Sequence, residues 1–356
     1  MTIRWIAALA GFAAVAFIGI VVVGDFSAEE AGNSWALVAA LALAAAFLVY
    51  AAVEYAQTGG FSSIASQFDL RTLVLMPIAI AINIILGAAV ANALKIPIYL
   101  DSIGTILVGA LAGPIAGALT GFTANIVWQY IIPPPFQSGV AAPFAIVAAV
   151  IGLMAGIFAR AGWLRPRPNR PMGQLVGGAL LTIAAIAGVA WLAYLGYQEI
   201  IGPAGFEVAS DNVLFVILGW LALALVAATV IGLLALLFVR RDLTAGYVVM
   251  AGLLTGIVAA LISAPISANL FGGVTGAGTD FLVAAFRQAG ADIGAATLGQ
   301  GLISDPVDKI TTFFVVYLVL NAMARRTKAR FPQGEQLIEG GDEVAEEGGE
   351  WRGAST

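Results

Sequence analysis

The side chains able to do chemistry in this chain are few and fall in two stretches. Asp101, Ser102 and Thr105 lie together in L-D-S-I-G-T, and Asn125, Trp128, Gln129 and Tyr130 follow. Asn125 and Gln129 are four residues apart, so a helix would present them on one face. Much later, Asn269, Thr275, Thr279 and Asp280 flank a glycine-rich run, and Asp305, Asp308 and Lys309 open another apolar segment. Carboxylates, an ammonium, amides and aromatic surface in one lining suit a small polar ring compound better than a bare ion. Thiolate or imidazole metal sites, cysteine nucleophiles and Ser-His-Asp arrangements are excluded, because the chain contains no Cys and no His. The run Gly272–Asp280 is not a phosphate loop, since no Lys follows in the Walker position.

Each of these groups also has a purely local use. Asp101 and the Thr279-Asp280 pair are suited to capping helices. Asp305 and Lys309, at i and i+4, are placed to pair with each other. Trp128 and Tyr130 fit an interfacial aromatic belt. Asn83, Asn92 and Asn125 are able to join helices by hydrogen bonds within a membrane.

The elements that must hold these groups are membrane helices. The 356 residues are 61% hydrophobic and only 10% charged, with a mean hydropathy of +0.98, whereas soluble domains run near 45–50% apolar and about 25% charged. A crossing of the hydrocarbon core takes about 20 residues, and about ten candidate runs are found, the fourth of them short, with ends nearer Tyr99 and Ala112. They are Ile3–Val23, Ser34–Val53, Thr72–Leu94, Ser102–Leu111, Pro114–Ile132, Val140–Ala159, Gln174–Leu195, Val213–Val239, Gly246–Asn269 and Pro306–Met323. The weaker stretch Asp280–Leu302 carries Arg287, Gln288, Asp292 and Gln300 and reads as membrane-associated or re-entrant, since charges facing lipid are costly.

Basic residues give the orientation. Arg4, Arg71, Arg160/Arg165/Arg167/Arg170, Arg240/Arg241 and Arg325/Arg326/Lys328/Arg330 fall on one side of this topology, and Lys95, Arg287 and Lys309 depart from it. The opposite loops are acidic or uncharged, as in Asp25/Glu29/Glu30 and Glu199/Glu207/Asp211. The expectation is a multi-pass protein of the cell membrane with both termini cytoplasmic. The formal charge of −5 reflects the C-terminus: from Pro332 onward lie seven of the 21 acids and one of the 16 bases. Neither nucleic acid, metal nor cofactor is expected as a partner.

The chain divides by polarity. Residues 1–58 and 161–245 read as transmembrane hairpins of Ala, Leu and Val that form scaffold. Residues 71–160 and 246–330 carry the polar groups and the Gly/Pro breaks that membranes tolerate where backbone lines a cavity, and they read as four core spans plus two. Residues 331–356 read as an acidic disordered tail. Ala79, Asn83, Gly87 and Ala91 form a small-residue stripe that allows close helix approach, either within the chain or to a partner subunit.

Several strings together resemble the substrate-binding S component of energy-coupling factor (ECF) transporters. They are I-P-I-Y-L-D-S-I-G-T (Ile96–Thr105), G-P-I-A-G-A-L-T-G-F-T-A-N (Gly113–Asn125), P-F-A-I-V-A-A-V-I-G-L-M-A-G-I-F-A-R (Pro143–Arg160), the Gly272–Asp280 loop and S-D-P-V-D-K (Ser304–Lys309). The resemblance covers the two core blocks, in order. It implies an all-α, six-helix S-component-like core with two extra hairpins, which captures a vitamin or similar micronutrient from outside. It also implies partners absent from this chain, a transmembrane coupling subunit and a cytoplasmic ATPase pair. The expected substrate-binding residues are Asp101, Thr105, Asn125, Trp128, Gln129, Asn269, Thr275, Asp280, Asp305, Asp308 and Lys309. The family docks through Ala-x-x-x-Ala on its first core helix; here the cytoplasmic half of that helix reads Ala79-x-x-x-Asn83.

The main alternative is a stand-alone ion- or proton-coupled carrier with Asp305, Asp308 and Lys309 as coupling charges. A membrane sensor is disfavoured by the lack of an output domain. An intramembrane enzyme would have to rely on an Asp pair such as Asp305/Asp308, so no enzyme is expected.

Overall fold

The computed structural model describes residues 2–23, 31–88, 98–134, 136–169, 173, 175–180, 182–184, 187 and 228–338. Among them the chain is all-helical, without a strand. The helices are α1 (Thr2–Val23), α2 (Ala31–Thr58), α3 (Leu70–Gly87), α4 (Ile103–Ala112), α5 (Pro114–Tyr130), α6 (Ala145–Arg160), α7 (Ala228–Phe238), α8 (Thr244–Phe271), α9 (Asp280–Gln288) and α10 (Ile293–Ala322). Four of the described segments, Leu41–Thr58, Leu70–Gly87, Ala142–Arg160 and Thr244–Phe271, are long and apolar enough to cross a membrane. Most of the expected hairpin 161–245, Ala91 of the stripe and the tail beyond residue 338 lie outside the described residues.

Local chemistry fixes where helices begin. Asp69 caps α3 by accepting a hydrogen bond from Thr72 N at 2.8 Å, and Asp292 caps α10 by accepting one from Ala295 N at 2.9 Å. At the start of α5, Gly113 adopts φ +135°, Pro114 occupies the first turn, and Gln67 Oε1 accepts from Ile115 N at 2.9 Å. Gln67 therefore serves as a cap borrowed from a distant loop.

Close packing follows from small residues. Gly109, Gly117, Gly121, Gly152 and Gly156 bring α4, α5 and α6 into backbone contact, and Gly252 and Gly256 seat α8 against Ile310 and Pro306 of α10. In lipid, helices associate through such packing because the hydrocarbon supplies no hydrophobic drive. The main core cluster joins α4, α6, α8 and α10, including Ile106, Ile151, Val248, Phe313 and Tyr317, with Leu233 and Leu237 of α7. The outer faces of α1 and α3 remain apolar, with Ile6, Leu9, Phe17, Leu73, Val74 and Ile85 exposed.

Two expectations are revised, and one that stood open is narrowed. Asp280–Leu302 is not one re-entrant unit: α9 ends at Gln288, and the rest is continuous with the last expected span. The resulting α10 has 30 residues and is about 45 Å long. Residues 331–338 are not a disordered tail, since Gln333 and Leu337 are buried. Gln333 N donates to Leu111 O at 2.8 Å, its Nε2 donates to Gly109 O at 3.0 Å, and its Oε1 accepts from Arg160 Nε at 2.9 Å. Finally, Ala79, Asn83 and Gly87 of the stripe are buried inside the chain. Ala79 packs on Gly104, Asn83 bonds Gly104 and Thr105, and Gly87 receives the Trp128 ring. Of the two uses open to the stripe, these contacts show close approach within the chain, to α4 and to Trp128 of α5.

Several basic side chains, Arg4, Arg71, Arg160, Arg165 and Arg330 among them, gather at one end, apart from Lys309. Arg4 pairs with Glu54 at 3.2 Å, Arg71 donates to Arg330 O, and Arg165 Nε donates to Gln336 O. Asp242 organises the same end by accepting from Arg167 N, Thr244 N and Tyr317 Oη.

A side chain at residue 152 would meet the Gly117 backbone, whereas one at Gly139 meets nothing within 4 Å. Gly152→Val is expected to abolish recovery of monodisperse protein, or to lower its melting temperature sharply, in detergent size-exclusion and thermal-shift assays. Gly139→Ala is expected to behave as wild type.

Candidate functional site

The site begins with a stretch of non-helical backbone, 98–102, that precedes α4. Leu100 adopts φ +53°, a left-handed conformation that costs a branched residue of order 1–3 kcal/mol. What holds it is Asp308 of α10, whose Oδ1 accepts from Tyr99 N at 3.1 Å and Leu100 N at 2.7 Å. The other carboxylate oxygen of Asp308 pairs with the neighbouring Lys309 ammonium. Lys309 Nζ also donates to Ser102 Oγ at 2.9 Å and lies 3.9 Å from Asp101 Oδ1.

Asn83 completes the start of α4. Its Oδ1 accepts from Gly104 N at 2.7 Å and its Nδ2 donates to Thr105 Oγ1 at 2.8 Å. An orphan N–H of the first turn is thereby satisfied from α3.

These groups border a cavity of about 160 Å³, comparable to an engineered cavity of about 150 Å³ that admits benzene. One wall is apolar, with Phe144, Val147 and Ile151 from the start of α6 and Ala259 from α8. The opposite lining is polar and draws on both blocks: Asp101, Asn125 and Trp128 from the first, Ser263, Ser267, Gln300, Asp305 and Lys309 from the second. The loop 131–144 closes one side through Ser138–Ala141. It is held there by Trp128 Nε1 donating to Phe136 O at 2.8 Å and by Ala142 N donating to Gln129 Oε1 at 2.6 Å. The glycine-rich loop contributes Thr275 and Ala277. Asp280 folds that loop, accepting from Thr275 N, Thr275 Oγ1 and Gly276 N at 3.0, 2.9 and 2.7 Å. Tyr99 Oη and Thr279 Oγ1, 2.8 Å apart, share a hydrogen bond that joins the two non-helical segments.

The cavity thus collects six of the expected residues: Asp101, Asn125, Trp128, Thr275, Asp305 and Lys309. Thr105, Gln129, Asp280 and Asp308 stand behind it, each engaged in holding backbone or a side chain in place. Asn269, at the end of α8, is outside the lining. Sequence reasoning missed Tyr99, Phe144, Ser263, Ser267 and Gln300 as lining residues. Ser263 and Ser267 were findable, because two hydroxyls at i and i+4 in an apolar helix mark one polar face.

Not all polar groups are consumed by the fold. Asn125 is only 7% exposed and its amide has no hydrogen-bond partner among the described residues, as is true of the Ser267 hydroxyl. No group of three or more metal-ligating side chains occurs among the described residues. No protein-family model, curated protein or solved structure matches the chain.

Asp308 is fully buried, and removing one member of such a pair leaves an uncompensated charge, costing about 3–5 kcal/mol. Asp308→Ala is expected to destabilise by that order, since it also orphans two backbone N–H groups, while Asp308→Asn costs less. Combining Asp308→Asn with Lys309→Met is expected to cost less than the sum of the single changes. Thermal unfolding in detergent would expose an error here as strict additivity.

Proposed function

We propose that this chain is the solute-capturing membrane subunit of an uptake system, an S component of an ECF-type ABC transporter. In this reading it crosses the membrane about ten times, has both termini in the cytoplasm and receives a vitamin-like micronutrient from outside. The observation that carries the reading is the cavity in which the two polar blocks meet, with the Asn125 amide and Ser267 hydroxyl facing it unbonded. A lining that mixes apolar wall with a few convergent polar groups is the usual form of a small-molecule site.

Orientation is supported by the clustering of Arg4, Arg71, Arg160, Arg165 and Arg330 at one end, which the positive-inside rule assigns to the cytoplasm. The cavity lies toward the other end, beside loops 131–144 and 272–280, and so faces outward. Uptake against a gradient requires an energy source that this chain does not carry in any recognisable motif. A separate coupling subunit and ATPase pair supply it.

One observation favours a second reading. Asp305, Asp308 and Lys309 form a buried charged group on a single helix, the kind of arrangement that serves ion coupling in membrane carriers. Under that reading the chain works alone.

Two measurements separate these readings. Isothermal titration of the purified chain against vitamins, nucleobases and related ring compounds is expected to reveal one ligand of micromolar affinity or better. Purification from the native membrane is expected to bring an ATPase with it. Gradient-driven uptake by liposomes holding this chain alone would select the carrier instead, and silence in every assay would refute capture.

A further inference from the structure

We infer that the cavity selects a small organic cation, a protonated amine or amidine carried on a single apolar ring. The inference rests on the capture reading and names its substrate class. It starts from the balance of charge around the cavity. Lys309 is the one cation of the lining among the described residues, and its closest partner is Asp308, which pairs with it directly and lies outside the lining. Two carboxylates that do line the cavity remain. Asp101 makes only a loose ion pair with the Lys309 ammonium, at 3.9 Å and beyond hydrogen-bond reach, so three carboxylates, Asp101, Asp305 and Asp308, share one ammonium. Asp305 is 6% exposed and has only hydroxyl partners, Ser304 Oγ at 3.3 Å and Ser263 Oγ at 3.4 Å. Both contacts are long for an O–H donating to a carboxylate, which ordinarily lies near 2.5–2.7 Å.

A carboxylate taken out of water needs a cation or strong donors to offset its desolvation. Lys309 attracts Asp305 through space, but the protein gives Asp305 neither an ion pair at contact distance nor a short donor, and the open space beside it is where the complement belongs. The unbonded Asn125 oxygen and Ser267 hydroxyl add acceptors that an N–H donor would use. Size and wall chemistry define the rest of the solute. About 160 Å³ is far more than a bare ion fills, and Trp128, Phe144 and Ile151 offer ring faces and aliphatic surface. An aromatic face near the ammonium adds cation–π attraction.

The test uses three probes of one shape: benzylamine, charged at neutral pH, benzyl alcohol, neutral, and benzoate, anionic. Titration of the full-length wild-type chain in detergent is expected to rank benzylamine at least tenfold tighter than the other two. Asp305→Asn is expected to weaken benzylamine at least tenfold and leave benzyl alcohol within twofold. Benzoate or benzyl alcohol binding as well as benzylamine would overturn the inference, as would an unchanged benzylamine affinity in Asp305→Asn or no binding of any probe. The wild-type ranking decides the matter even should that variant fold poorly. Failure of the capture reading looks different. A neutral or anionic micronutrient bound at micromolar affinity and not displaced by benzylamine refutes the cation alone. Cation preference in a chain that purifies without an ATPase and transports by itself refutes the ECF assignment alone.

Discussion

The carboxylate of Asp308 is the constraint on which the rest of the site depends. A chain segment that leaves the helical conformation inside a low-dielectric interior exposes backbone donors that nothing around it will satisfy unless a side chain is provided. Asp308 meets two of those donors with one oxygen and balances Lys309 with the other. Lys309 in turn steadies Ser102, the residue from which α4 departs. The order of dependence therefore runs from a buried ion pair to a bent backbone, from the backbone to a short helix, and from the helix to a space beside it. Asn83 repeats the device from the other side, with one amide serving both the helix start and Thr105.

The opposite end of the molecule is closed by comparable means. Gln333 reaches the carbonyls at the ends of α4 and α6 and takes a hydrogen bond from Arg160. A residue beyond the last long helix thus finishes two helices far earlier in the chain. Helices that border the cavity are thus tied together at their far ends, while Tyr99, Ser138–Ala141 and Thr275 from non-helical segments border the cavity itself.

Much of this was legible in the sequence, and the exceptions have physical reasons. Apolar runs located α1 to α6 and α8 well, because hydrophobicity over about 20 residues is a strong signal. α10 was cut short, since Arg287, Asp292 and Gln300 lower the local hydropathy and hide a helix that Asp292 caps cleanly. The docking of residues 331–338 was invisible: its composition is polar and glycine-rich, and only the partner carbonyls of α4 and α6 explain it. Placing Asp101, Asn125, Trp128, Asp305 and Lys309 near one another succeeded because polar groups in apolar helices have few places to go. Separating Asp305, which lines the cavity, from Asp308, which supports it, failed because three residues on a helix differ by about 60° in direction. That angle depends on how α10 is rotated, a property of the packed molecule.

Tyr99 and Thr279 stand 180 residues apart, yet their hydroxyls share one neutral hydrogen bond between the two irregular walls. Such a bond contributes about 0.5–1.5 kcal/mol net, so parting that seam changes its population by roughly tenfold at most. That one contact is a light fastening between the two segments. Each segment therefore depends mainly on its other anchors, Asp308 for the backbone at Tyr99 and Leu100 and Asp280 for the glycine-rich loop.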